Sequence, residues 1–344
     1  MPITTERTHF TQDVQGRYIC NTYQEAMEST LQTSRADGKF RPDARPFDIL
    51  IAGGGTFGAA LAQHLFHNDI LRKHRILLLE AGSYVLPEHV QNLPFLAFSG
   101  MNPPAPSSIA ELRAEGHFGA DTPRNQVWGL PWHSALQFPG LAYCLGGRSL
   151  FWGGWSPQPL ESETPTSGPG RNHWPANVVA DLNNRYFHEA GEQTGVTQRN
   201  DFIRGDLHAM LRKLLFNGIS KEKIPGAVAL SQLKLHLEDQ ESEKADVKAD
   251  ELKLEAPLAV QSSQPRAGFF PFDKFSSMPL LIQASRQAQA EANNDDVNKR
   301  LMVVTNCHVK RLLTTGSRVT ALETSQGTIP LPANGAVIVA LGTI

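Results

Sequence analysis

The feature that most constrains this chain is Gly53-Gly54-Gly55-Thr56-Phe57-Gly58, because of what stands on either side of it. Phe47-Asp48-Ile49-Leu50-Ile51-Ala52 is a short apolar run ending in glycines, which reads as a buried strand entering a tight turn. Ala59 to Phe66 is rich in Ala and Leu and reads as a helix, and Arg75-Ile76-Leu77-Leu78-Leu79-Glu80 as a second strand with an acidic end. Strand, glycine turn, helix and strand make a βαβ unit, the setting that gives G-x-G-x-x-G its physical meaning. Gly53 permits the turn, Gly55 lets a pyrophosphate approach the backbone, and Gly58 lets helix and strand pack closely. The helix start then offers unbonded N–H groups and a partial positive charge to phosphate. Glu80 follows Gly58 by 22 residues, where a carboxylate accepts hydrogen bonds from a ribose and repels a 2′-phosphate. A dinucleotide site, with NADP disfavoured, is the expectation.

Bulk properties narrow the function classes. The chain has 344 residues, enough for about two domains at roughly 150 residues each. With 32 basic against 34 acidic side chains, no global field exists for gripping nucleic acid or an anionic membrane. No apolar run approaches the roughly 20 residues needed to span a bilayer. Met1 to Arg45 lacks a basic start followed by an apolar core, so no leader is visible and the cytoplasm is the expected compartment. Cys20, Cys144 and Cys307 are distant from one another and show no metal-ligand spacing, so they read as buried thiols; no metal site is expected.

Along the chain, residues 1–45 read as a polar arm with an amphipathic stretch at Tyr23–Leu31. Residues 83–145, rich in Pro, Gly and aromatics, read as long loops, and 178–219 as helical. Lys234 to Glu255 holds eight acids and four bases and reads as a solvated helix or mobile insertion. Aromatic character returns at Phe269, Phe270, Phe272 and Phe275. Strands are expected at Leu301–Thr305, Val309–Thr314, Val319–Thr324 and Ala336–Ala340.

The glycine fingerprint alone does not choose between FAD and NAD. A second motif bears on the choice: Leu145-Gly146-Gly147-Arg148-Ser149-Leu150-Phe151-Trp152-Gly153-Gly154-Trp155. Its glycines let backbone approach a flat ring, Ser149 and backbone N–H groups can donate to a polar ring edge, and Trp152 or Trp155 can wall a pocket. A serine nucleophile on G-x-S-x-G is not supported, because Phe151 stands where the last glycine belongs.

Phe47–Gly58, Leu79-Glu80-Ala81-Gly82, the Leu145–Trp155 loop and the closing Val337-Ile338-Val339-Ala340-Leu341-Gly342-Thr343-Ile344 together resemble the glucose–methanol–choline oxidoreductase family, over roughly 46–160 and 296–344 with a looser echo at Phe269–Leu281. The resemblance implies an α/β fold: a Rossmann-like FAD-binding domain, βαβ with a parallel sheet, plus a partial, inserted substrate-side α+β region. The FAD domain would comprise 46–160 and 296–344, and the insert 161–295 with its charged stretch 234–255. The implied activity is oxidation of CH–OH in a small alcohol or sugar. By position, Gly53, Gly55, Thr56, Phe57 and Gly58 would hold the pyrophosphate, and Glu80 with Ala81 the adenosine ribose. Gly146, Gly147, Ser149, Trp152 and Gly153 would lie near the isoalloxazine, Val309 would meet the adenine, and Ala340 and Gly342 would form the strand-turn returning beside the cofactor.

Members with covalent flavin carry His two residues after the serine of this loop; Phe151 stands there, so non-covalent FAD is expected. Hydride transfer to flavin N5 also needs a base for the hydroxyl proton, commonly His. In the family that His lies beyond the terminal strand-turn, so it is expected beyond residue 344, in a missing segment or on a partner chain. Apolar surface left without cover would then make the isolated chain poorly soluble or partner-dependent. Of the 12 histidines, His133 and His173, set among aromatics, are the best internal substitutes, and neither is assigned as the base. Two alternatives stand beside this reading: a nicotinamide-dependent dehydrogenase, and a flavin-binding subunit without turnover.

Overall fold

The structure is a computed structural model and describes residues 14–34, 37–90, 127, 142–168, 173–199, 205–235, 249–262 and 272–342. The chain divides into two units, Met1–Phe151 with Ser276–Ile344, and Trp152–Phe275.

The first unit is built on a four-stranded parallel sheet. Its strands are β1 (Ile49–Ala52), β2 (Ile76–Leu79), β3 (Leu301–Val304) and, after the meander described below, β7 (Ala336–Val339), in the order β7-β1-β2-β3. Register is continuous across it: Val337 pairs Leu50, Leu50 pairs Leu77, and Leu77 pairs Met302. Successive side chains of a strand point to opposite faces, and a parallel sheet is covered on both, which is why these segments read as unbroken apolar runs. Ile51, Ile76, Leu78, Leu301 and Val303 face one way, onto α3 (Thr56–Asn68) through Ala59, Ala62 and Phe66 and onto α4 (Met278–Glu291) through Met278, Leu281, Ala284 and Ala288. Leu50, Leu77, Leu79, Met302 and Val304 face the other way, onto Phe47, Cys307, Leu322 and Ile329. That second cover includes an antiparallel meander of β4 (Val309–Thr315), β5 (Arg318–Thr324) and β6 (Thr328–Pro330). The fold class is therefore α/β with a Rossmann-like βαβ core.

The N-terminal arm is part of this unit. Ile19 and Cys20, at the end of α1 (Val14–Ile19), enter the first core, and Ala26 of α2 (Tyr23–Glu28) enters the second. Thr22 and Glu25 form a reciprocal capping box on α2. Arg75, fully buried, fastens the arm to the sheet: its guanidinium lies 4.4 Å from the Phe47 ring centroid and donates to the Ser29 and Lys299 carbonyls. The helix at 278–291 packs with the sheet and belongs to the first unit, while Trp152 opens the second.

The second unit carries a small antiparallel sheet, with Leu258–Ser262 between Val196–Thr197 and Phe272–Lys274. The expected helical stretch is several pieces: Ala176–Asp181, a π-helical turn Leu182–Tyr186, Phe187–Thr194 and, separately, Asp206–Ser220. The acidic stretch differs at its end from the solvated segment expected. Glu255 is buried and paired with Arg212 at 2.5 Å and His208 at 2.8 Å, because a buried carboxylate requires a counter-charge. Residues 236–248 lie outside the described residues, as do His133, Phe269, Phe270 and most of 83–145. Among the described residues, no helix is long and apolar enough to cross a membrane.

Candidate cofactor site

The site forms where the parallel strands end. Ala52 passes into Gly53, whose amide donates to the Leu79 carbonyl at 2.8 Å, and the chain turns into α3 at Gly55. The N-cap of α3 is Gly55, which has no side chain to cap the helix, so among the described residues its first-turn amides are left with the positive end of the helix dipole. A Cβ on Gly58 would overlap the Gly53 carbonyl oxygen, so only glycine lets the helix sit this close to the turn. Gly58 is buried and supports the turn from behind.

The second glycine loop is clamped onto the first. The Gly146 amide donates to the Gly54 carbonyl at 2.8 Å, and the Ser149 amide donates to Thr56 Oγ1 at 3.0 Å. The Ser149 hydroxyl donates to the Gly146 carbonyl at 2.6 Å and accepts from the Ser277 amide at 3.1 Å. Ser149 is thus buried between its own loop and the start of α4, with its hydroxyl engaged by protein partners.

Glu80 closes a third side. One carboxylate oxygen accepts from the Gly54 amide at 2.7 Å and the other from the Gly82 amide at 2.8 Å. Burial pushes its pKa up to about 7, against the lowering effect of those amides. The Glu80 carbonyl accepts from the Cys307 amide at 2.8 Å, which sets Cys307, His308 and Val309 beside it. On the other flank the Ala340 amide donates to the Ala52 carbonyl at 2.8 Å, placing Ala340 to Gly342 alongside Gly53.

These pieces enclose a cavity of about 220 Å³. Of the residues singled out in the sequence, Gly53, Gly55, Thr56, Phe57, Glu80, Ala81, Gly147, Val309, Ala340 and Gly342 line it. Gly58, Gly146 and Ser149 lie behind its wall rather than on it. Trp152 and Gly153 fall in the second unit, where the Trp152 indole donates to the Phe275 carbonyl at 2.8 Å. His173 is exposed in that unit. Tyr143, Arg148, Cys307, His308 and Leu341 also line the cavity, and sequence reasoning does not assign them to it. Arg148 stands within the second glycine loop, so its position was a usable signal; Tyr143 sits in a stretch with no periodicity to read.

The residues present fit a dinucleotide. A Cβ on Gly55 would stand 3.9 Å from the Gly147 Cα, occupying the space in front of the uncapped helix where a pyrophosphate belongs. The Glu80 carboxylate accepts from the Gly54 and Gly82 amides, and with about four lone-pair sites in all it has acceptor capacity left that would suit a ribose hydroxyl. Among the described residues, no three His, Cys, Asp or Glu side chains are arranged to hold a metal ion. All three cysteines are free and buried; burial raises Cys20 to about 12 and Cys144 and Cys307 above the usual thiol range.

No protein-family model and no curated protein matches the chain. Among solved structures it is similar to pyridoxine 4-oxidase from Mesorbium loti, at 18% identity and TM-score 0.40, over 87% of this chain and 50% of that one. It is similar to formate oxidase from Aspergillus oryzae RIB40, in a structure concerned with FAD modification, at 16% identity and TM-score 0.39, over 85% and 45% of the two chains. Glycine oxidase from Bacillus cereus ATCC 14579 matches at 15% identity and TM-score 0.25, over 86% and 55%. The chain spans about half the length of these solved structures.

Proposed function

We propose that this chain binds FAD non-covalently and serves an oxidoreductase acting on the CH–OH group of a small alcohol or sugar, as the glucose–methanol–choline resemblance implies. The observation that carries the reading is the convergence of the uncapped α3 N-terminus, the Glu80 carboxylate and the Gly147 loop on one cavity. When bound, FAD supplies a hydride acceptor. The chain's own residues bind and orient it: α3 amides face the pyrophosphate, Glu80 accepts from the ribose, and Val309 borders the adenine end. Phe151 offers no nucleophile for a covalent flavin bond. The free, buried cysteines suit a reducing compartment such as the cytoplasm.

The test is the spectrum of the purified chain. Flavin absorbance that leaves with the supernatant after acid precipitation supports the reading, and flavin retained in the pellet refutes non-covalent binding. A chain that stays colourless, takes up no added FAD and binds NADH instead would establish the nicotinamide alternative. Reduction of the bound flavin by a panel of alcohols and sugars then tests the substrate class.

A further inference from the structure

Among the described residues, seventeen line the cavity, and only one of them carries a permanently cationic side chain, Arg148. It directly follows Gly147, whose Cα faces Gly55, and directly precedes Ser149, whose amide is bonded to Thr56 Oγ1. The guanidinium therefore springs from the loop segment held against the first residues of α3. We propose that Arg148 is the counter-charge to the cofactor pyrophosphate, and that it gives the site its preference for a dinucleotide or nucleoside diphosphate over the bare nucleoside. The inference rests on the dinucleotide reading of this cavity.

The electrostatics call for such a group. A pyrophosphate diester brings two negative charges, whereas a helix N-terminus supplies about half a positive charge. The same cavity already holds the Glu80 carboxylate, which adds negative charge whenever it is ionised. Amides alone leave the balance negative in a partly desolvated space. A guanidinium corrects it, and its planar fork matches two phosphate oxygens where an ammonium meets them as a point charge. Partial burial lowers the Arg148 pKa from its usual value, yet an arginine remains charged at neutral pH.

The test measures FAD, ADP and adenosine binding by titration calorimetry on the full chain, freed of flavin, as wild type, Arg148→Met and Arg148→Lys. Arg148 is only partly buried, and thermal melts of each variant separate any loss of folding from a loss of binding. Loss of a charge-assisted phosphate contact predicts roughly 10- to 100-fold weaker FAD and ADP binding in Arg148→Met, with Lys intermediate and adenosine unchanged. The wild-type affinity for ADP should also fall with added salt more steeply than that of Arg148→Met. Unchanged ADP affinity in Arg148→Met would overturn the inference while leaving the FAD site standing. A parallel loss of adenosine affinity would overturn it too, by showing a general role in shaping the cavity. Wild type binding neither FAD nor ADP would remove the dinucleotide reading itself.

Discussion

Glu80 and Gly54 are joined by a 2.7 Å hydrogen bond from the Gly54 amide to the Glu80 carboxylate, whose other oxygen holds the Gly82 amide. The acid after β2 therefore fixes the shape of the glycine turn as well as facing the cavity. The same side chain serves fold and site, and its substitution affects both.

The first prediction concerns pH. Burial raises the Glu80 pKa from 4.5 in the unfolded chain to about 7 in the folded one. The folded state then binds more protons across that window, so its stabilising contribution is complete below the unfolded pKa and is lost as pH rises through 7. The span corresponds to about 3 kcal/mol as an upper figure. Urea unfolding between pH 4.5 and 8 should show wild type losing stability across this range, with Glu80→Gln losing less. The difference between the two slopes isolates Glu80 from other titrating groups such as Asp296.

How much of this was legible follows from the range of the interactions. The βαβ unit and the strands at 301–304, 309–315 and 318–324 are written in local periodicity; the strands lie within two residues of expectation, while the helix starts three residues earlier, at Thr56. The packing of α4 on the sheet was not legible, because Met278, Leu281, Ala284 and Ala288 mark a buried stripe without saying against what. The roles of Arg75, Ser149 and Glu255 were hidden for a related reason. Each is a buried polar side chain whose partners lie far away in sequence: Lys299, Ser277 and Arg212. Spacing rules find groups that meet along one element, and these meet across several.

The two glycine pairs of the second loop should respond differently to substitution. Gly147 has φ of +50°, and a Cβ there would stand 2.8 Å from the Gly55 Cα, against backbone that cannot yield. Gly147→Ala should cost about 2 kcal/mol in stability and sharply lower flavin content. Gly153 faces open space, with no atom within 4 Å of where a Cβ would stand, so Gly153→Ala should stay within about 0.5 kcal/mol of wild type. Denaturation midpoints and flavin-to-protein ratios of the two variants make the comparison. Equal effects would mean the loop is not clamped on α3.

Ser149→Ala should act through structure. It strips the Ser277 amide of its acceptor and deletes the bond to Gly146, both in buried surroundings. An unsatisfied buried donor costs about 1–3 kcal/mol, so the melting temperature should fall by several degrees. A fluorophosphonate probe should leave Ser149 unlabelled in the native chain, since the hydroxyl is buried and already bonded. Labelling at Ser149 would reinstate the nucleophile reading that Phe151 argues against.

In the second unit, the Arg212–Glu255 pair predicts an asymmetric pattern of substitutions. Both side chains are almost fully enclosed, at 4% and 2% exposure, and His208 also reaches Glu255 at 2.8 Å. Removing Arg212 takes away the buried guanidinium and leaves only the partly exposed His208 ring against Glu255, and removing Glu255 takes the carboxylate from a buried guanidinium, so Arg212→Met or Glu255→Leu alone should cost about 3–5 kcal/mol. Replacing both by Met and Leu removes the desolvation penalty together with the attraction and should recover most of that loss. The pair also ties the helix Asp206–Ser220 to the body of its unit, while Leu207, Met210, Leu211, Leu214 and Leu215 of that helix face outward. Hydrogen exchange should therefore show the amides of 206–220 losing protection in either single variant and regaining it in the double. If the double variant is as unstable as the singles, the helix depends on the charges themselves rather than on their mutual neutralisation.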